Sequence, residues 1–194
     1  MVKFIKVRIY NISISLIKKT MDKLFVAAIK EETLGLDYFN HIGVGKINAT
    51  YNTLQLIHFH KPKIIINYGT AGAINTQLKG IVECTKFYQR DMDVRGLNFE
   101  LGETPFDKIK EIVLSEKGHS CGTGDNFVDQ EIEMKIDVVD MEAYAIAKVC
   151  KLENIEFKCF KYISDNADEN ASKDWNENLA LGAKTFAKLI NDKI

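Results

Sequence analysis

The feature that most limits the folds open to this chain is an alternation of short apolar runs with helical stretches, which begins at Leu24. Strands are predicted over "LFVAAI", "KIIIN", "GIVECTKFYQ", "IDVVD" and "EFKCFKYIS". Helices are predicted over "KINATYNTLQLIHF", "MEAYAIAKVCKLEN" and "WNENLALGAKTFAKLIND". This alternation is typical of an α/β domain, in which helices cover a sheet.

Details of the pattern refine these predictions. The run "KIIIN" is β-branched throughout, as in a strand buried on both faces. The first helix is indicated by apolar residues at helical spacing and ends before Pro62; those residues are Ile47, Tyr51, Leu54 and Ile57. The stretch from Arg90 to Gly124 has no clear period and is predicted to be irregular, and Trp175 is interpreted as a packing residue at the start of the last helix.

Composition favours a single globular domain without a nucleic-acid or membrane partner. The chain has 194 residues, enough for one sizeable core, and its net charge of −1 gives no global field for nucleic acid or anionic lipid. The four cysteines are scattered without a Cys-x-x-Cys pair, which indicates reduced thiols and a cytoplasmic protein. No set of side chains has metal-ligand spacing, so we expect neither metal nor cofactor.

Residues 1–20 differ from the rest, because they carry five basic residues and no acidic one. Charges interrupt the apolar residues, so neither a signal peptide nor a membrane span is predicted. We interpret residues 1–20 as an extension, either an extra strand or a loose arm, and residues 21–194 as the domain. A membrane-surface role is the weaker alternative.

Acidic residues follow several of the predicted strands. Glu32 follows the first strand, Asp140 and Glu142 end and follow "IDVVD", and Asp165 follows "FKCFKYIS", while a glycine-rich turn, "YGTAGAI", follows "KIIIN". A carboxylate at the start of a helix is also ordinary capping chemistry, which alone would explain Glu142. Asp165 alone could be a turn residue. The whole set, however, indicates one convergent pocket at the strand ends.

Six segments, in order, resemble the purine nucleoside phosphorylase superfamily: "AAIKEE", "GVGKINA", "IINYGTAGAI", "GTGDNFV", "VVDMEAYAIAKVC" and "YISDNAD". The branch that the sequence most resembles is the 5′-methylthioadenosine/S-adenosylhomocysteine nucleosidases. The resemblance implies a single α/β domain of three layers, a twisted mixed sheet flanked by helices, and a homodimer with its site near the interface. Only ten residues separate Glu32 from "GVGK", fewer than the family has, so we expect a trimmed N-terminal region.

The resemblance also implies roles for individual residues in hydrolysis of an adenine nucleoside. Glu32 matches the base that activates water, and Asp165 matches the acid that protonates N7 of the purine. Ser164 matches a residue that orients this acid. Thr70 occupies the Ser/Thr position of the family's Gly-[ST]-x-Gly turn, and Val44 matches a residue near the water and the sugar.

Four further residues match the substrate-binding positions of the family. Glu142 matches the carboxylate that binds the ribose hydroxyls, and Met141 matches the residue that packs on the sugar. Phe127 matches the aromatic ring that stacks on the base, and the backbone of Val128 matches the group that reads the adenine edge.

Two alternatives remain beside the nucleosidase. A phosphorylase needs cations for phosphate, but this chain has Asn67 where phosphate-dependent relatives carry an arginine. A non-catalytic nucleoside-binding protein is the other alternative, because the shortened segment after Glu32 could displace the base.

Overall fold

A mixed sheet of eight strands organises residues 22–193, the part of the chain that this computed structural model describes. In chain order the strands are β1 Lys23–Ala27, β2 Phe39–His41, β3 Ile64–Ala73, β4 Ile81–Gln89, β5 Ile112–Val113, β6 His119–Thr123, β7 Val138–Asp140 and β8 Glu156–Asp165. The helices are α1 Lys46–His60, α2 Ala143–Glu153, α3 Ala171–Asn178 and α4 Leu181–Lys193, and short 3-10 turns cover Lys30–Thr33 and Arg95–Leu97. The predicted extension over residues 1–20 lies outside the described residues.

Strand β3 is the centre of the sheet, because it pairs with three neighbours. It runs parallel to β1 and β8 along most of its length, and its last residues, Gly72 and Ala73, pair antiparallel with β7. Strand β8 also pairs with β4, β4 with β6, and β6 with β7. The five strands β3, β8, β4, β6 and β7 therefore close a ring, to which β1 and β2 are added at one side.

Two apolar clusters cover opposite faces of this sheet. The adjacent residues Ile65 and Ile66 of β3 are both fully buried, but Ile65 belongs to the cluster beneath α1 and α2, and Ile66 to an aromatic cluster with Phe186 of α4. Successive strand residues point to opposite faces, so the sheet lies between two helical layers. The predicted three-layer α/β domain with a mixed sheet is confirmed.

The structure corrects three predictions about the elements. The apolar spacing predicted α1, but only part of it faces the core: Ile57 is buried and Leu54 packs against the core, whereas Ile47 and Tyr51 are 82% and 61% exposed. The predicted last helix is two helices, interrupted at residues 179–180. The stretch predicted to be irregular contains β5 and the sheet strand β6.

The shortened segment after Glu32 folds compactly. A 3-10 turn holds Glu32 and Thr33, both buried, and strand β2 then pairs parallel with β1 at the edge of the sheet. The main chain returns at Ile42, whose N–H donates to Ala27 O at 2.9 Å. The trimmed region thus adds one short edge strand and leaves the turn that carries Glu32 against β3. Within residues 22–193, no helix is both long and apolar enough to cross a membrane.

Candidate active site

A cavity of about 290 Å³ opens where β1, β7 and β8 end. Its lining includes every residue that the sequence predicted for the site: Glu32, Val44, Thr70, Phe127, Val128, Met141, Glu142, Ser164 and Asp165. These side chains come from segments more than a hundred residues apart in the chain, and the closed ring of strands brings their ends together. The predicted convergence of the acidic strand ends is therefore a feature of the fold.

Glu32 is fixed against β3 although the segment after it is short. Its Oε1 accepts hydrogen bonds from the Thr70 amide at 2.7 Å and from the Thr70 hydroxyl at 2.8 Å, and Glu32 is only 5% exposed. A Cβ on Gly69 would lie 3.2 Å from the same oxygen, so a small residue is needed there for this close approach. Thr70 thus contributes both a main-chain and a side-chain donor to the carboxylate.

The two acids at the joint between β7 and α2 have different tasks. Asp140 Oδ2 accepts the amides of Ala143 at 2.7 Å and Glu142 at 3.2 Å, so Asp140 caps α2. The Glu142 side chain makes no capping bond. Glu142 therefore stands at the start of α2 without a side-chain capping bond, and its side chain lines the cavity.

A buried lysine, which the sequence analysis did not single out, lies beneath the cavity. Lys161 of β8 is 1% exposed, and its Nζ lies 2.8 Å from Asp140 Oδ2. Burial acts against both charges, but Lys161 lowers the pKa of Asp140, and Asp140 raises that of Lys161. The alternation of "EFKCFKYIS" predicted the strand but could not show that a lysine on it points inward towards a carboxylate.

Glu142 is the carboxylate with the most unusual environment. The Gly45 amide donates to its Oε1 at 2.9 Å. Burial, with the charge of Asp140 as a further cause, raises the pKa of Glu142 to about 8. This environment favours the protonated form of Glu142, and a protonated carboxyl can donate a hydrogen bond as well as accept one.

Asp165 ends β8 and is held by its own loop. Its Oδ2 accepts a hydrogen bond from the Ser164 hydroxyl at 2.8 Å, and its Oδ1 accepts the Ala167 amide at 2.9 Å. Burial is the largest cause that raises the pKa of Asp165, and Asp174 and Asp168 add to it. A Cβ on Gly72 would lie 2.6 Å from Oδ1, so the glycine-rich turn makes room for this carboxylate. Burial and the neighbouring acids thus favour the protonated form of Asp165, whereas the two accepted hydrogen bonds favour its carboxylate.

The mouth of the cavity is apolar and partly open. Phe127 and Val44 are each 44% exposed, whereas Val128 is buried. Trp175 of α3 also lines the cavity, and its Nε1 donates to Thr70 Oγ1 at 3.0 Å. The interpretation of Trp175 as a residue that only packs is incomplete, and its position ten residues after Asp165, on the next helix, was the available signal.

Arg90 is the single cation in the lining that residues 22–193 provide. Its Nη1 donates to Asn126 Oδ1 at 3.0 Å, and Nη2 donates to the main-chain oxygen of Asn126. Two guanidinium nitrogens thus bind the loop that carries Phe127, whereas Nε is buried without a hydrogen-bond partner among the described residues. In the described part of the chain, no three His, Cys, Asp or Glu side chains are grouped to hold a metal.

Comparisons with known proteins identify relatives that match most of the chain. The family model for the phosphorylase superfamily matches residues 112–194. A 5′-methylthioadenosine/S-adenosylhomocysteine nucleosidase of Haemophilus influenzae (strain PittEE) is 32% identical over 179 residues, which cover 78% of each chain. A protein of the same name from Buchnera aphidicola (subsp. Acyrthosiphon pisum, strain Tuc7) is 30% identical over 76% of this chain and 75% of its own.

Solved structures share the fold at lower identity. Futalosine hydrolase of Helicobacter pylori superposes with a TM-score of 0.80 at 22% identity, over 89% of this chain and 96% of that one. The Helicobacter pylori nucleosidase MTAN-D198N, with 5′-methylthioadenosine in its active site, gives a TM-score of 0.80 at 23% identity, over 88% and 96%.

Proposed function

The chain belongs to the 5′-methylthioadenosine/S-adenosylhomocysteine nucleosidase family of the phosphorylase superfamily, and from this we propose that it hydrolyses the N-glycosidic bond of an adenine nucleoside such as 5′-methylthioadenosine or S-adenosylhomocysteine, releasing adenine. The observation that carries the proposal is the convergence of Glu32, Glu142 and Asp165 on one cavity beside Phe127. An adenine nucleoside offers a group for each of these three acids. Glu32 would face the water that attacks C1′, Glu142 the ribose hydroxyls, and Asp165 a basic nitrogen of the purine.

Asp165 acts as the general acid in this proposal. Departure of the purine leaves negative charge on the base, and protonation at N7 turns the base into a neutral leaving group. The raised pKa of Asp165 and its hydrogen bond from Ser164, which orients the carboxyl, support this role. A positioned acid or base typically contributes about 10²–10⁴-fold to the rate.

Glu32 acts as the base that deprotonates water as the water attacks C1′. The arrangement follows the logic of inverting glycosidases, in which one carboxyl group protonates the leaving group and another activates water on the opposite face. The two hydrogen bonds from Thr70 support the role, because they orient one oxygen of Glu32 and leave Oε2 with only a long contact of 3.4 Å to the Ile29 amide. Val44 borders the same side of the cavity.

Glu142 and the apolar lining bind the rest of the nucleoside. Glu142 hydrogen-bonds the ribose hydroxyls, and Met141 packs on the sugar. Phe127 stacks on the adenine, and the Val128 main chain reads the adenine edge. The places of these four residues around one cavity support this division into a sugar side and a base side.

Water rather than phosphate is the nucleophile. A phosphate site typically gathers several cationic donors, whereas Arg90 is the one cation in the described lining and two of its guanidinium nitrogens donate to Asn126. Asn67, at the position where phosphate-dependent relatives carry arginine, is 2% exposed and donates to Val26 O at 3.2 Å. These contacts support a hydrolase.

The test is release of adenine from 5′-methylthioadenosine, S-adenosylhomocysteine and adenosine, each with and without phosphate. We expect a free sugar at equal rates in both buffers. Formation of a sugar 1-phosphate that depends on phosphate would identify a phosphorylase. Tight nucleoside binding in calorimetry without any adenine release would identify a binding protein.

A homodimer is part of the proposal. The outer face of α1 exposes Ile47 and Tyr51, one and two turns from Val44 at the mouth of the cavity. Apolar side chains exposed together mark interaction surfaces. Sedimentation should give a dimer for the unmodified chain and a monomer for Ile47→Glu with Tyr51→Glu; a monomeric unmodified chain would contradict the proposal.

The burial of all four free thiols supports a reducing, cytoplasmic location.

A further inference from the structure

A cluster of three charges joins segments that border the cavity without lining it. Lys46 Nζ, at the start of α1, lies 2.5 Å from Asp91 Oδ1 and 3.7 Å from Asp125 Oδ2. The Lys46 and Asp91 side chains are only 17% and 24% exposed. We call Lys46, Asp91 and Asp125 the Lys46 clamp. Because these residues follow β4 and β6 or begin α1, the clamp connects three separate elements.

The clamp holds main chain as well as side chains. The Lys46 amide donates to Asp125 Oδ1 at 2.7 Å, and the Asp125 amide donates to Asp91 Oδ2 at 2.8 Å. Gly45, at φ +88°, allows the approach, since a Cβ there would lie 3.1 Å from Asp125 Oδ1. The turn before α1 and the loop after β6 are therefore tied to each other directly.

Each tied segment carries a group that the proposed reaction needs. On one side, Gly45 precedes Lys46 and donates its amide to Glu142 Oε1 at 2.9 Å. On the other side, Asp125 lies two residues before Phe127 on the same loop. The clamp thus connects the residue that holds the ribose to the residue that stacks on the base.

We propose that Lys46, Asp91 and Asp125 are positioning residues. They fix the separation between Glu142 and Phe127, so that the ribose and the base are bound at the same time. This inference rests on the proposed function. One N-glycosidic bond joins the base to the ribose, so a change in the separation of Glu142 and Phe127 prevents both groups from being held at their best geometry. Small displacements of this kind can cost about 10²-fold in rate.

A purely structural brace makes a different prediction. A partly exposed ion pair contributes only modestly to stability, and its loss lowers the fraction of folded protein without altering the affinity of the folded part. A positioning clamp instead changes KM and nucleoside affinity in fully folded protein. The two roles therefore separate in binding and kinetics.

The experiment compares Lys46→Met, which removes the charge, with Lys46→Arg, which keeps it. Lys63→Met is the matched control, because Lys63 forms an exposed ion pair with Asp22 at 2.9 Å. For 5′-methylthioadenosine we expect kcat/KM of Lys46→Met to fall about 10- to 100-fold, mostly through KM, with Lys46→Arg near the unmodified protein and Lys63→Met unchanged. An unchanged KM in folded Lys46→Met would overturn the clamp.

A double-mutant cycle with Phe127→Ala adds a second readout. If the clamp acts through Phe127, the loss of affinity from Phe127→Ala should be smaller, by at least about threefold, in the Lys46→Met background. Strictly additive losses would also overturn the clamp. If the unmodified protein released no adenine, the proposed function would fail, and the same ratios measured by calorimetry as nucleoside dissociation constants would still test the clamp.

Discussion

At the scale of single residues, the site is built from carboxyl groups whose surroundings set different tendencies to hold a proton. Burial raises the pKa of Asp165 and raises that of Glu142 to about 8, whereas Lys161 lowers the pKa of Asp140 against the effect of burial. Different pKa values for neighbouring acids are how one site supplies both acid and base chemistry.

The first prediction concerns the acid. Asp165→Asn keeps the shape and can still accept the Ala167 amide on its oxygen, but it removes the transferable proton, so kcat should fall about 10²–10⁴-fold while the thermal midpoint stays within a few degrees. Turnover of adenine release and a thermal melt measure both quantities. Near-normal turnover in Asp165→Asn would show that another group protonates the purine.

The second prediction concerns Glu142 and pH. Its pKa is raised from 4.5 to about 8 in the folded protein, which therefore holds a proton that the unfolded chain has lost between these values. Stability should fall as pH rises through this window, and Glu142→Gln should remove the fall. At pH 8.5 we expect the variant to be more stable by about 1 kcal/mol or more, with near-equal stability at pH 4. Urea unfolding at the two pH values measures this; equal pH profiles would contradict it.

Several functional residues were predictable because they stand in short contiguous segments. The acids of "DMEA" and "SDNAD" are identified by the residues directly beside them in the sequence. Lys161, Arg90 and Trp175 depend instead on partners far along the chain: Asp140, Asn126 and Thr70 respectively. No local pattern shows that an alternating strand turns a lysine towards a carboxylate.

At the scale of elements, the strands that the sequence did not predict are stabilised by pairing with neighbouring strands. Strand β6, "HSCGT", has little intrinsic strand propensity, but it pairs with β4 on one side and β7 on the other. Helix α1 shows the converse, since two of its predicted apolar residues, Ile47 and Tyr51, face outward while Thr53 is buried. The apolar period predicted that a helix exists, whereas the covering of α1 by α2 determined which face is buried.

The Lys161–Asp140 pair joins β8 to the end of β7. Lys161→Met leaves the Asp140 carboxylate buried without its cation, and loss of one partner of a buried pair costs about 3–5 kcal/mol. Lys173→Met is the control, because Lys173 is 76% exposed in its pair with Glu177. Chemical unfolding should show the large loss for Lys161→Met alone. A loss below about 1 kcal/mol would mean that Asp140 takes up a proton at little cost.

Helix α4 packs on the sheet through a glycine. A Cβ on Gly182 would overlap the Tyr68 hydroxyl and lie 2.5 Å from Cγ of Tyr162. Gly182→Ala should therefore destabilise the protein by about 1–3 kcal/mol, although alanine favours helices. Gly96→Ala is the matched control, since no atom lies within 4 Å of a Cβ there. Equal unfolding free energies for the two variants would show that α4 shifts freely.

At the scale of the whole molecule, the closed ring of five strands explains how a chain of 194 residues holds a complete cavity. The short segment after Glu32 forms a 3-10 turn and the edge strand β2, which lies outside the ring. Glu32 nevertheless lines the cavity and is held by Thr70 of β3, a strand of the ring.

The whole protein should work without a bound metal or cofactor. The proposed reaction uses only carboxyl groups, an aromatic ring and main-chain groups, so turnover should be unchanged after exhaustive dialysis against a chelator. The measurement is adenine release before and after dialysis. A loss that zinc or magnesium restores would contradict the prediction.

One consequence of the cavity lining is optical. Trp175 is the chain's one tryptophan, and it stands at the cavity with its indole N–H on Thr70. The intrinsic fluorescence of the protein therefore originates at the site itself. A purine that enters changes the polarity around this indole, so emission reports occupancy without a label and without turnover. Nucleoside binding to variants without catalytic activity can therefore still be followed by their tryptophan emission.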